Sequence, residues 1–265
     1  MNRLCPLCAK DNSNQPESSF SKDKWIIKKC ANCEFVYLEN PVMYKDLVID
    51  FAYSKTQKIV EKNRVRKNPL QKKISAHYSY FRKNIIKRDK LIYLIKRYKP
   101  EGKLLDIGCG TGGVFERLPE KISPYGIEID EKTAYLSDKI ARKYGGKVFH
   151  NDAISGLDNI DTNTFDIILM SAFLEHELNP GTLLEKSFNA LKSGGILIIK
   201  VPNLSSFNRI IKKTDWCGFR YPDHVNYFNP RTLSQMVINS GFRVEKFNFL
   251  DKLAISDNMW MVCVK

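Results

Sequence analysis

From residue 101 onward, short continuous apolar runs alternate with amphipathic stretches. The runs are KLLDIG, SPYGIEID, KVFHND, FDIILMS and GGILIIKVPN. Between them stand TGGVFERL, KTAYLSDKIARKYG and TLLEKSFNALK, with apolar residues at helical spacing. Strands apolar along their whole length, alternating with helices, predict a parallel, doubly wound α/β sheet. A further helix is expected at Pro230–Ser240. The chain then changes rhythm: FRVEKFNFL and NMWMVCVK read as two consecutive strands, predicting an antiparallel hairpin finish.

Upstream the pattern differs. Residues 41–100 read as helices. Ile85, Ile86, Leu91, Ile92, Leu94 and Ile95 fall on or beside one helical face, Pro69 divides the segment and Pro100 ends it. Residues 1–40 hold two short β-like runs, WIIKKC and EFVYL, among paired cysteines. Three parts are therefore expected: 1–40 a cysteine ribbon, 41–100 a helical cap, and 101–265 the α/β domain.

Composition narrows the class. Of 265 residues, 43% are hydrophobic, enough for a packed core. No apolar run approaches the ~18 residues of a membrane-spanning helix. MNRLCPLCAK lacks the apolar stretch of a secretory signal, so a cytoplasmic location with reduced thiols is expected. The seven cysteines then need a role other than disulfides. Cys5-x-x-Cys8 and Cys30-x-x-Cys33 have the spacing of a zinc site. Four thiolates would close the tetrahedron, making a Zn2+ ion structural. Iron in the same ligands and four unrelated buried cysteines are the alternatives.

The chemistry concentrates at residues 104–113, LLDIGCGTGG. Gly108, Gly110 and Gly112 follow the first strand and let a ligand approach the backbone closely. A glycine loop alone also fits a dinucleotide site. Asp106, at the strand end, discriminates, because an acid there repels a pyrophosphate and attracts a cation. S-adenosyl-L-methionine carries an ammonium and a sulfonium, and no phosphate.

LLDIGCGTGG resembles the first motif of the class I S-adenosylmethionine-dependent methyltransferases, and the likeness runs in order through most of 101–250. The resemblance implies a Rossmann-like sheet. It also implies that Glu128 in YGIEID binds the ribose hydroxyls and Asp152 in HNDA the adenine amino group. Cys109, Thr111, Ile129, Ala153 and Ser171 then complete the cofactor surface, Cys109 through its backbone. HVNYFNPRTL…GF is similar to the segment closing the substrate side in a bacterial subgroup. Many members of that subgroup begin with CxxC…CxxC and lie in polysaccharide or modified-sugar pathways.

Methyl transfer needs an acceptor atom held in line with the C–S bond, often with its proton removed. Glu175-His176, after the fourth strand, is the first candidate. Related ubiquinone-pathway O-methyltransferases carry Glu-x-x-Glu-His here and hold a divalent ion, but Ala172 stands at the first position of this chain. The pair is read as base or acceptor contact, or as bracing beneath the site. His224, in GFRYPDHVNYF, is the second candidate. Trp216, Tyr221, Tyr227 and Phe228 around it either stack on the acceptor or seal the loop.

The formal charge of +14 has one source, since residues 55–99 carry sixteen Lys or Arg against Glu61 and Asp89. That stretch is a solvated cap, or a surface for a phosphate-bearing small substrate, a lipid carrier or anionic membrane, or nucleic acid. Tyr78, Tyr80 and Phe81 are candidate lining of an acceptor pocket. The favoured acceptor is a small molecule or saccharide, such as a nucleotide-linked sugar or glycan intermediate. The alternatives are RNA, gripped by ribbon and basic helices, and a non-catalytic cofactor-binding module. SAFLEH stands where base-amine methyltransferases carry an (N/D)PPY-type tetrad, which favours the first reading.

Overall fold

The computed structural model describes residues 2–42, 89–252, 254 and 256–265. Met1–Pro41 and Lys99–Lys265 form one compact unit, and Val42–Tyr98 form another. The second unit contains helix α1 (Lys90–Tyr98), with Leu91, Leu94 and Ile95 buried and Leu91 N–H bonded to the Asp89 carboxylate at 3.1 Å. The other readings on the basic segment, including Tyr78, Tyr80 and Phe81, lie outside the described residues.

The first unit is built on a seven-stranded sheet. In chain order its members are β3 (Gly102–Ile107), β4 (Ile122–Glu128), β5 (Lys147–His150), β6 (Phe165–Ser171), β7 (Leu191–Pro202), β9 (Arg243–Lys246) and β10 (Asn258–Val264). The spatial order is β5-β4-β3-β6-β7-β10-β9. The first five strands run parallel, and β10 pairs antiparallel with β7 and β9. Helices α2 (Glu131–Lys143), α3 (Ala153–Asp158) and α4 (Pro180–Ala190) make the crossovers. Leu104, Leu105, Ile167, Ile168, Leu197 and Ile198 have no exposed area, as expected for parallel strands covered on both faces. Helix α6 (Pro230–Asn239) starts with a capping box, in which the Asn229 side chain accepts from Thr232 N–H and the Thr232 hydroxyl accepts in return.

Two expected elements differ. TGGVFERL forms only one 3-10 turn, Phe115–Arg117, because Pro119 ends the helix almost at once. The glycine loop therefore has no helix dipole behind it. FRVEKFNFL is a strand only over Arg243–Lys246. Its tail folds into α7 (Phe249–Lys252), where Asn248 and Asp251 each accept the other's backbone N–H and buried Asp251 also pairs with Lys246.

A second, three-stranded sheet joins the cysteine segment to the main domain. β1 (Ile27–Lys29) and β2 (Val36–Leu38) form a hairpin, and β8 (Asn226–Tyr227), from the loop after β7, adds to β2. Arg3 clamps the same junction. Its guanidinium donates to the Val225 carbonyl at 3.1 Å, the Asn226 side-chain oxygen at 3.0 Å and the Leu178 carbonyl. Bonds from a charged donor are worth about 1.5–3 kcal/mol each, less where partly hydrated. Arg3→Ala is expected to lower the unfolding free energy by about 2 kcal/mol, read as a lower urea midpoint at unchanged slope.

Candidate active site

Three acids stand at the carboxyl ends of adjacent strands. Asp106 is next to last in β3, Glu128 ends β4, and Asp152 follows β5. Asp106 is 4% exposed, and burial together with the nearby Glu128 charge pushes its carboxyl up to about 8. Glu128 accepts backbone N–H bonds from Gly110 at 2.9 Å, Ile129 at 3.0 Å and Asp130 at 3.1 Å. It therefore holds the glycine loop to the end of the second strand. Asp152 caps α3 through Ser155 N–H at 2.9 Å and is exposed, beside buried Ala153.

Gly108 is needed on two counts. Its φ is +73°, and a Cβ there would lie 2.3 Å from the Phe173 ring. At Gly110 a Cβ would meet nothing within 4 Å, so the loop is open where a ligand could rest. Thr111 is exposed on the loop, and Gly112 packs against Ser137. The buried Cys109 thiol contacts the Ser137 hydroxyl at 3.6 Å, so its side chain belongs to the core. Ile129 and Ser171 are half-buried at strand ends. An open cradle rimmed by carboxylates, one of them costly to ionise, fits a cationic adenosyl compound.

The acceptor-side candidates converge. After β6 the chain turns at Ala172 (φ 59°) and carries Glu175 and His176. The loop bearing His224 is stitched to this tail. Val225 and Asn226 N–H donate to the Glu175 carbonyl at 2.8 and 3.1 Å, and the Asn226 amide donates to the Leu174 and Glu177 carbonyls. His176 Nδ1 lies 2.9 Å from the Asp223 carbonyl and His224 Nδ1 2.8 Å from the Gly218 carbonyl. The two rings meet edge to face, centroids 4.6 Å apart. Burial, reinforced by the Arg220 charge, lowers His176 to about 4, and burial lowers His224 as well. Both imidazoles are therefore neutral, and so low a value makes His176 a weak proton acceptor. Burial raises Glu175 to about 7. Trp216, Tyr227 and Phe228 are each 3% exposed or less, packed inward as a seal rather than open for stacking, whereas Tyr221 is half-buried with its hydroxyl donating to the Phe20 carbonyl at 2.6 Å.

The match of known proteins agrees with this geometry. The methyltransferase-domain family model matches residues 63–246. The chain belongs to that family. It is an S-adenosylmethionine-dependent methyltransferase. An uncharacterised protein of Methanocaldococcus jannaschii is 28% identical over 66% of this chain and 82% of its own length. A ubiquinone biosynthesis O-methyltransferase of Pelagibacter ubique is 28% identical over 69% of this chain and 78% of its own. A solved S-adenosylmethionine-dependent methyltransferase from Archaeoglobus fulgidus shares the fold, with TM-score 0.51 and 22% identity. That match covers 71% of this chain and 99% of the other.

In this methyltransferase the four N-terminal cysteines also meet. Cys5 and Cys33 Sγ are 3.4 Å apart, Cys8 and Cys30 Sγ 3.5 Å, and all four sulfurs lie within 4.8 Å of one another. These separations are far beyond a disulfide's ~2.05 Å and near those of thiolates around one zinc. Three residues not singled out in the sequence hold the loop around His224. Arg3 and Asn226 bind the loop to the β6 tail. Asp257 accepts from Trp216 Nε1 at 2.7 Å, Asn208 at 2.9 Å and Ser206 at 3.1 Å. Asn226 stands inside HVNYFNPRTL, but each of the three owes its role to contacts between distant segments.

The state of Asp106 yields a pH dependence. In the unfolded chain an aspartate loses its proton near pH ~4, whereas the folded protein keeps it to about 8. The folded state thus binds more protons between those values, and this contribution to stability falls as pH rises through the window. Urea unfolding of the ligand-free enzyme is expected to weaken from pH 5 to pH 8 by up to about 1.4 kcal/mol per unit from this group. Asp106→Asn removes that part of the slope.

Proposed function

We propose that this enzyme transfers the methyl group of S-adenosylmethionine to a hydroxyl of a small-molecule acceptor. The single observation carrying the reading is the row of Asp106, Glu128 and Asp152 at successive strand ends around an open glycine loop. In this reading Asp106 faces the positive methionine end of the cofactor. Glu128 has lone pairs beyond its three N–H bonds and takes the ribose hydroxyls. Asp152 uses one oxygen to cap α3 and turns the other to the adenine amino group. The name of the Pelagibacter relative supports O-methylation of a small molecule. Burial of Trp216, Tyr227 and Phe228 leaves half-buried Tyr221 as the remaining stacking candidate of that group for a saccharide. A saccharide remains one class of hydroxyl-bearing acceptor.

The cysteine cluster fits a closed four-thiolate zinc whose role is structural. That role reaches the active site, because β2 of the ribbon pairs with β8, two residues beyond His224. In this reading buried Glu175 and His224, with half-buried His176, brace the acceptor side of the site.

Transfer of labelled methyl groups tests the reading. The enzyme is incubated with methyl-labelled S-adenosylmethionine and, separately, small hydroxylated metabolites, nucleotide-sugars, lipid-linked glycans and RNA. Label is expected in a small-molecule pool as an ether stable to mild base. Label in RNA alone, or no cofactor turnover with any pool, overturns it.

A further inference from the structure

Glu175 is 1% exposed, and its Oε2 is the buried side-chain polar atom left without a hydrogen-bond partner among the described residues. An orphaned carboxylate oxygen in the interior is expensive, and such groups are normally paired, hydrogen-bonded or bound to a metal. No hydrogen bond ties the Glu175 carboxylate to either neighbouring imidazole, so the three side chains do not satisfy one another. One ligand-capable atom from each of Glu175, His176 and His224 nevertheless lies within 4.8 Å of the other two.

Both rings are oriented in the same way. His176 Nδ1 faces the Asp223 carbonyl at 2.9 Å, and His224 Nδ1 faces the Gly218 carbonyl at 2.8 Å. A carbonyl can only accept, so each Nδ1 carries the proton and each Nε2 keeps its lone pair. This is the outer-shell arrangement that fixes imidazoles as metal ligands. Asp223 also takes the neighbouring Arg220 charge at 2.7 Å, which lessens its repulsion of a cation here.

We propose that Glu175, His176 and His224 hold a divalent first-row transition metal. Two imidazole nitrogens and one carboxylate suit manganese, iron or zinc better than the all-oxygen preference of calcium or magnesium. Glu175 and His176 come from the tail of β6, and His224 supplies the third ligand from a different loop. Three protein ligands would leave further coordination positions for water or an acceptor. An acceptor hydroxyl bound there would release its proton to water more readily. This consequence rests on the methyl-transfer reading, whereas metal binding itself does not.

The test is Mn2+ binding, measured on the full-length protein without cofactor or acceptor. Protein dialysed against EDTA, with its zinc content counted by mass spectrometry, is titrated with Mn2+ and followed by electron paramagnetic resonance. One equivalent is expected to bind beyond the four-cysteine zinc. Its electron spin echo should show nitrogen couplings from two imidazoles. His224→Gln and Glu175→Gln should each weaken Mn2+ binding at least ten-fold while S-adenosylmethionine still binds. No stoichiometric Mn2+ site, bound Mn2+ without nitrogen coupling, or unchanged affinity in folded His224→Gln protein overturns the proposal. The wild-type nitrogen coupling decides the matter even where a variant fails to fold.

Discussion

Two carboxylates on neighbouring parallel strands govern this structure. Register pairs Asp106 with Gly126 and Ile107 with Ile127, so the β3 acid and the β4 acid are presented at one rim of the sheet. Burial raises the cost of ionising Asp106, and the nearby Glu128 charge raises it further. Glu128 is compensated locally by three backbone N–H groups, including that of Gly110. Among the described residues Asp106 has no such compensation, and in the proposed reading a cationic ligand supplies it. The rigid apolar sheet beneath makes the arrangement affordable, because its strands cannot shift to relieve the repulsion without opening a packed core.

The acceptor side rests on a second constraint, the attachment of the cysteine segment. Strand β8 is two residues long and gains stability by pairing with β2, while Arg3 and Asn226 bind the same stretch to the tail of β6. His224 lies immediately before this stretch, so the ribbon helps set where its ring stands. The cysteine segment and the α/β fold are one compact unit. The sealed cluster of Trp216, Phe219 and Tyr227 packs on Ile27 and Val36 of the ribbon, which explains why aromatics near a site histidine point inward.

The parallel strands were legible in the sequence because each is buried on both faces and reads as an unbroken apolar run. The place of the acids at the strand ends was legible for the same reason, since a charge breaks such a run where the strand leaves the core. The turn after the glycines was overread as a helix because Pro119 acts from beyond the periodic stretch. The FNFL tail was overread as strand because its helix depends on a reciprocal pair of Asn248 and Asp251 bonds, which leaves no periodic trace. Glu175, His176 and His224 were each identifiable, but their meeting was not. It depends on Val225 and Asn226 bonding the Glu175 carbonyl, a contact between segments far apart in the chain.

The central claim is that this carboxylate-rimmed cradle selects a cationic adenosyl compound. Calorimetric titration with S-adenosylmethionine near neutral pH, in two buffers of different ionisation enthalpy, tests it most directly. The account expects one cofactor per chain, with release of a proton as the ligand's charge drives Asp106 to ionise, and no such release in Asp106→Asn. Binding without proton exchange, or a dinucleotide binding in place of S-adenosylmethionine, would contradict it.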